Sequence, residues 1–381
     1  MLVTPYPPTP PLGGGRRRQL ELLRWLAREA DLTFATVVFG EEDEAALTSL
    51  VPTGVKLLTG RPVRGVLTPR LPLALQWCWS ASLARLIAEE HKACAFDSIV
   101  VSHSYGFIYS EDLHGAVRIV DAQNVESRVY RQFADLPPDQ RAKIRRLAGR
   151  AGLGFLGASR TASKIAALES RVWSTADAIV CVSRKEQELV GEVAGVERTL
   201  YIPNCPGDRA ASVNGAKRQK PTVSFAGSLD YIPNIHAVVT LCEHIVPRLV
   251  SLAPGTRVIV AGRRPSAKLT RFCNDKGVEV IANPGDMRQV VAGSVAACPV
   301  RLVAGTRLKI LDARNQGLRV VATSEALEGL EVGGDPGVTI CDDFDEFARA
   351  LASLFDAPVA PPPPSWASWE EAWEPLRSVL Y

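Results

Sequence analysis

The chain has 381 residues, 46% of them apolar and 22% charged, and a formal net charge of +3. That length suits two domains, and the apolar share supports large cores and excludes a disordered chain. The small net charge, with Lys and Arg scattered among Asp and Glu, gives no ground for nucleic-acid binding.

In chain order, a short strand at Leu2-Val3-Thr4 leads through Pro5-Tyr6-Pro7-Pro8 to Gly13, Gly14 and Gly15. A helix follows with Leu20, Leu23, Leu26 and Ala30 on one face. Strand-like runs come next at Leu32 to Phe39, Val55 to Leu58, Ser98 to Val101, Ala116 to Val120 and Ala178 to Val182, with one long helical stretch predicted over about Pro138 to Trp173. From Ile202 the pattern breaks into IPNCPGDRAASVNGAKRQKP, polar and without periodicity, which reads as an interdomain linker. A second β/α series then offers strands at Thr222 to Ala226, Arg257 to Ala261, Val278 to Ile281, Ala296 to Val300, Arg319 to Thr323 and Val338 to Cys341. Ala357 to Pro364 (APVAPPPP) is a stiff connector, and Ser365 to Tyr381 resumes helix. Two such series predict an α/β protein of two doubly wound Rossmann-like domains facing a cleft, 1–202 and 221–356, joined by a linker at 203–220 and followed by a connector and helix at 357–381.

The eight cysteines form no CxxC pair and no metal-ligand spacing. Several lie in apolar runs such as Ile179-Val180-Cys181-Val182, so they read as reduced core residues of a cytoplasmic protein. Neither a signal peptide nor a run of 18 apolar residues is present, so no membrane span is expected.

The most informative stretch is Thr306 to Leu330, TRLKILDARNQGLRVVATSEALEGL. Leu308, Ile310, Leu311 and Ala313 belong to a helix that Gly317 ends, and Arg319 to Ser324 is a short strand covered on both faces. Arg307 and Lys309 stand near the helix start, where fixed cations suit a diphosphate. Asp312 follows one turn on, where a carboxylate can accept from two ribose hydroxyls. The pattern points to a nucleotide, most naturally a nucleotide-sugar; the plainer alternative is a surface helix with solvated charges.

Eight motifs in order carry a family resemblance. They run through PYPPTPPLGGGRRRQL, VDAQNVESRVYR, ESRVWSTADAIVCVSRKEQELV, YIPN, FAGSLDYIPNIHAV, VIVAGRRP, CPVRLVAGTRLKILDARNQGLRVVATSEALEGLEV and the terminal SWEEAWEPL. Together they resemble the family 4 retaining glycosyltransferases of GT-B fold, in the bacterial exopolysaccharide-type branch. The resemblance implies transfer of a sugar from a UDP- or GDP-linked donor to a glycan, lipid-linked or small-molecule acceptor, with no cofactor and no metal. It also implies a C-terminal helix returning to the first domain. The alternatives are another GT-B reaction, such as an epimerase or phosphorylase, and a degenerate nucleotide-binding paralogue.

The resemblance and the chemistry together nominate Gly13, Gly14, Gly15, Gly227, Ser228, Arg263, Arg307, Lys309 and Asp312 for the donor. Asn124 and Glu126 are candidates for the acceptor, and His103 and Gln123 for the reacting centre. Two departures from the family pattern stand out. Asp312 occupies a position where Glu is usual, and Gln123 one where His is usual; Gln can bind a hydroxyl but cannot shuttle a proton near neutral pH. Finally, the basic segment Arg141 to Arg171, with Ile144, Leu147, Leu153 and Phe155 interleaved, could rest on an anionic membrane at the inner face, although a solvated helical face is the commoner meaning of such a run.

Overall fold

The computed structural model describes residues 1–10, 13–206, 220–332, 334–357 and 367–380. The expected linker at 203–220 and the proline-rich connector from 357 fall mostly outside the described residues.

Both predicted β/α series form parallel sheets. The first has seven strands, β1 (Leu2–Thr4), β2 (Thr33–Val37), β3 (Lys56–Gly60), β4 (Ser98–Ser102), β5 (Val117–Asp121), β6 (Ala178–Cys181) and β7 (Thr199–Tyr201), in the order β3-β2-β1-β4-β5-β6-β7. The second has six, β8 (Thr222–Ala226), β9 (Arg257–Gly262), β10 (Glu279–Ala282), β11 (Val295–Cys298), β12 (Val320–Ala322) and β13 (Val338–Ile340), in the order β10-β9-β8-β11-β12-β13. In each sheet the order reverses beside the first strand, so the carboxyl ends of β1 and β4, and of β8 and β11, form a switch point where an open parallel sheet binds ligands. The central strands are apolar on both faces because helices cover both, and Leu2, Val3, Ile99, Val101, Val223, Phe225, Ile259 and Val260 are all buried.

The division into compact units is interleaved. One unit comprises Met1–Ser127, Ser159–Asn204 and Ala367–Tyr381; the other comprises Arg128–Ala158 and Cys205–Trp366. Residues 128–158, placed in the first domain by a boundary at 202, thus pack with the second sheet. Helix Pro138–Ala148 buries Ile144 and Leu147, and Lys143 Nζ reaches Glu243 Oε2 at 2.8 Å. The predicted long helix from Pro138 to Trp173 is in fact three pieces, Pro138–Ala148, a 3-10 turn Gly149–Phe155, and Ala158–Thr175. Gly149 and Gly157 take positive φ values of 60° and 63°, open to glycine at little steric cost; Gly149 closes the first helix and Gly157 precedes the last. The basic segment Arg141 to Arg171 is therefore no single amphipathic helix: its first part belongs to one unit and its last part to the other.

The C-terminal segment packs in the first unit against helix Gly14–Glu29. Trp369 and Trp373 are buried, the Arg18 guanidinium lies 4.4 Å from the Trp373 ring, and Arg377 Nε meets Glu29 Oε2 at 2.7 Å. Ser368 and Glu371 form a reciprocal capping box at its start. In the second unit, Ile232–Leu252 is one continuous helical run with a π-turn at Leu241–Ile245, long and apolar enough in composition to cross a membrane. It is the core helix here, with Ile235, Val238, Leu241, Cys242, Ile245 and Leu249 buried.

Candidate active site

In the second unit four of the nominated residues gather at the switch point of the sheet. Gly227 follows β8, and a Cβ built on it would lie 2.8 Å from Lys309 Nζ and 2.9 Å from Asn234 Nδ2. A Cβ on Gly262, at the end of β9, would fall 1.7 Å from the Gly227 carbonyl oxygen, so both glycines are needed for the two strand ends to approach. Lys309 Nζ donates to Asn234 Oδ1 at 2.6 Å and stands 4.2 Å from the centre of the Phe225 ring. Asn234 Nδ2 in turn donates to the Ser228 carbonyl at 2.8 Å, and Arg263 Nε to Ser228 Oγ at 2.9 Å. Burial pulls the Lys309 ammonium down to about 8; the Cys298 thiol opposes the shift and the Arg307 guanidinium adds to it. Because Lys309 keeps part of its surface accessible, an anion brought to it would find a poorly solvated cation beside the first turn of helix Leu308–Asn315.

The structure separates the roles of the two cations. Arg307 is 7% exposed and directs its guanidinium at backbone carbonyls, with Nε donating to Ala326 at 2.9 Å and Nη2 donating to Glu328. It fastens the Glu325–Leu327 turn to the helix start, so its first task is to shape the loop after β12. The same loop is held from the other side, where Arg128 Nη1 meets Glu328 Oε1 at 2.8 Å. Asp312 lies on the same helix as Lys309, three residues on and half-buried. Arg314 is fully buried and paired with Asp335 at 2.7 Å, a structural role. Gly317, at φ 76°, ends the helix as its residue type predicts.

In the first unit a second cluster forms at the carboxyl ends of β1, β4 and β5. Gly13 is the extended residue before helix Gly14–Glu29, while Gly14 and Gly15 open its first turn. A Cβ on Gly15 would lie 2.7 Å from Tyr6 Oη, 2.9 Å from Gln123 Oε1 and 3.8 Å from His103 Nε2. Only glycine admits so close an approach of these side chains. Tyr6 Oη and His103 Nε2 are 2.6 Å apart. Gln123 Nε2 donates to Ser102 Oγ at 2.6 Å and Asp121 Oδ2 at 3.1 Å, which turns Oε1 toward Gly15. That oxygen is buried and has no hydrogen-bond partner. Asp121 is itself fixed by Arg18, a fully buried pair at 2.8 Å, whose guanidinium also reaches the Ile202 carbonyl at 3.2 Å and Asn204 Oδ1 at 3.1 Å. Burial holds the His103 imidazole down at about 3, so the ring is neutral at physiological pH and acts through hydrogen bonds.

Backbone strain marks the same places. Five non-glycine residues among those described have positive φ, and four stand within two residues of a strand end: His103 at 63° and Gln123 at 58° in the first unit, Arg264 at 53° and Asn283 at 49° in the second. Such conformations cost free energy and persist where surrounding contacts over-determine them, commonly at binding sites.

Asn124 and Glu126 line a tight recess beside His103, together with Tyr105, Leu168 and Glu169. Asn124 Nδ2 donates to Glu126 Oε2 at 2.8 Å. Glu169 caps the first turn of helix Glu126–Asp135, accepting from Glu126 N at 2.6 Å and from Ser127 Oγ at 2.5 Å. Burial pushes the Glu169 carboxyl up to about 8 and raises Glu126 as well, the latter against its hydrogen bond from Asn124. Tyr6, Asn234 and Glu169 were not singled out by sequence reasoning. Each lies inside a family-like motif, but only as an unremarked neighbour of the residues that were.

Residues 220–357 match the family model described as Glycosyl transferases group 1. A search of curated proteins finds no match. Among solved structures, HepE of Anabaena in complex with UDP-glucose aligns over 100% of this chain and 94% of its own, at 13% identity and a TM-score of 0.61. WaaG, a glycosyltransferase involved in lipopolysaccharide biosynthesis, aligns over 99% of each chain at 12% identity and a TM-score of 0.59. TarM aligns over 100% of this chain and 94% of its own at 9% identity and a TM-score of 0.63. Over residues 220–357 the chain is therefore similar to the glycosyl transferases group 1 model, and its two sheets take the GT-B fold of these solved structures.

Proposed function

We propose that the protein is a retaining glycosyltransferase that takes a sugar from a UDP- or GDP-linked donor and passes it to a hydroxyl-bearing acceptor. The observation that carries this reading is the Lys309 amine, held by Asn234 at 2.6 Å over the Gly227 strand end, where an anion gains most from an underhydrated cation and helix amides. As the bond from the sugar's anomeric carbon to the diphosphate breaks, negative charge grows on the departing phosphate. Lys309 and the amides opening helix Leu308–Asn315 meet that charge without a metal, with Arg263 at the edge of the site. Asp312 takes the ribose hydroxyls. HepE is described with UDP-glucose and with UDP and glucose, which favours UDP as the nucleotide tried first.

The acceptor belongs to the first unit, where Gln123 Oε1 offers an unpaired acceptor to a sugar hydroxyl and neutral His103 fixes geometry. Its oxygen forms the new bond on the face the diphosphate leaves, and its proton departs with the nucleoside diphosphate. Buried thiols such as Cys78, Cys181 and Cys298 suit a reducing, cytoplasmic setting. The test is release of UDP or GDP from candidate nucleotide-sugars, with and without acceptor, and the anomeric proton coupling of the product. Inverted product would overturn the stereochemistry. Sugar interconversion without nucleotide release would point to an epimerase, and tight nucleotide binding with no turnover to a degenerate paralogue.

A further inference from the structure

The proposed function leaves one conspicuous surface of the first unit unused. Trp77 and Phe39 are large aromatic side chains left 44% and 48% exposed, and their rings are 6.0 Å apart. The array runs inward without a break. Trp77 stacks near-parallel on Tyr6 at 6.0 Å and meets Tyr105 edge-on at 6.1 Å, and Tyr105 stacks on His103 at 4.8 Å. Tyr6 closes the ladder through its hydroxyl contact with His103 at 2.6 Å. At the inner end stands the buried, unpartnered Gln123 Oε1, packed beside Gly15.

We infer that the Trp77–Phe39 face is a stacking platform for a pyranose ring of the acceptor. This inference rests on the glycosyl-transfer reading and narrows it: the acceptor is itself a sugar or ends in one. A pyranose has an apolar face of axial C–H bonds and a rim of hydroxyls, and it seeks both an exposed π-face and polar groups at its edge. A hydrocarbon chain would use the rings but leave Gln123 Oε1 unpaired, whereas a small polyol would satisfy Gln123 and leave the aromatic faces in water. The ladder serves both needs, because one end is exposed carbon and the other is buried polar groups. The supporting segment is rigid. Gln76, next to Trp77, donates through Nε2 to the carbonyls of Thr68 at 2.6 Å and Leu71 at 2.7 Å, and accepts from Thr68 N through Oε1 at 3.0 Å.

The full chain, labelled with 5-fluorotryptophan, gives a resolved fluorine resonance for Trp77, assigned by its disappearance in Trp77→Phe. Titration with gluco-, galacto- and N-acetylglucosamine disaccharides should shift that resonance saturably, with the Trp369 and Trp373 resonances unmoved. If no disaccharide shifts it, the platform is wrong. If zwitterionic vesicles shift it and sugars do not, the face is a lipid contact and the inference falls. Nucleotide binding is followed in the same samples, so loss of the glycosyltransferase reading (no UDP or GDP bound) is distinguished from loss of the platform (nucleotide bound, Trp77 unmoved). Where turnover is measurable, Trp77→Ala should raise the acceptor KM about tenfold or more with a smaller change in kcat, and Trp77→Phe should restore most of the loss. A fall in kcat as large as the rise in KM in Trp77→Ala would instead assign Trp77 a merely structural role.

Discussion

The two switch points of this molecule share topology and differ in electrostatics. At the end of β8 in the second unit the side chains are Lys309, Arg263 and Asn234, cationic and donor-rich around a glycine. At the ends of β1, β4 and β5 in the first unit they are Tyr6, neutral His103 and Gln123, with the buried charges Arg18 and Asp121 cancelling one another behind them. On the proposed function, the contrast teaches how one scaffold would divide labour. A parallel sheet supplies a crevice in either case, and the residue types at its rim decide whether it suits a diphosphate or an uncharged polyol.

That contrast can be broken most directly at Lys309. Lys309→Ala should weaken UDP or GDP binding by roughly 1.5–3 kcal/mol, about 10- to 150-fold, and weaken nucleoside binding far less; calorimetry with both ligands checks it, and equal losses would place Lys309 away from the diphosphate. Asp312→Ala should cut kcat/KM for the donor about tenfold, while Asp312→Glu stays near wild type. Unchanged donor kinetics in the alanine variant would show that this carboxylate has left the site.

Acidity sharpens the same difference. The Lys309 ammonium titrates at about 8 in the free protein and is the form that binds an anion, so diphosphate affinity is full below pH 8 and declines as pH rises through it, by up to about tenfold per pH unit. Isothermal titrations from pH 6.5 to 9.5 measure this, and Lys309→Arg should flatten the decline. The smallest effect belongs to the uncharged site. Gln123→Ala removes one neutral hydrogen bond and should lower kcat/KM for transfer by roughly 0.5–1.5 kcal/mol, severalfold to about tenfold, with nucleotide affinity untouched. A loss of nucleotide affinity in that variant would erase the division between the two rims.

Much of this architecture is legible in the sequence because central parallel strands are short β-branched runs, and twelve of the thirteen strands among the described residues coincide with or overlap predicted runs such as Ser98 to Val101 and Thr222 to Ala226. β7 was not picked out, since Thr199–Tyr201 is three residues at a sheet edge with no period to detect. The break between Ala148 and Ala158 was missed for another reason: apolar spacing continues through it, and the interruption is made by backbone conformation at Gly149 and Gly157. Interleaving could not be read at all, because Ile144 and Leu147 look the same whichever unit they bury against. Gly227 and Lys309, expected together from residue type and position, do lie side by side at the end of β8. Arg307 was read by its charge, whereas the structure shows its guanidinium engaged with carbonyls of residues 326 and 328, a pairing that sequence spacing does not encode.

The interleaving also fixes the order in which this protein can be completed. Residues 128–158 leave the ribosome roughly 100 residues before the helices of 232–275 that they pack with, an interval on the order of 5–20 s at ordinary elongation rates. The first unit waits longer still, since the tryptophan-bearing segment that covers Arg18 is made after all of the second unit. The first unit cannot complete its core until the second has been made, so the nascent chain carries exposed apolar helix faces through most of its synthesis. Production of this protein should therefore depend on nascent-chain chaperones to a degree that its modest net charge and ordinary composition do not suggest.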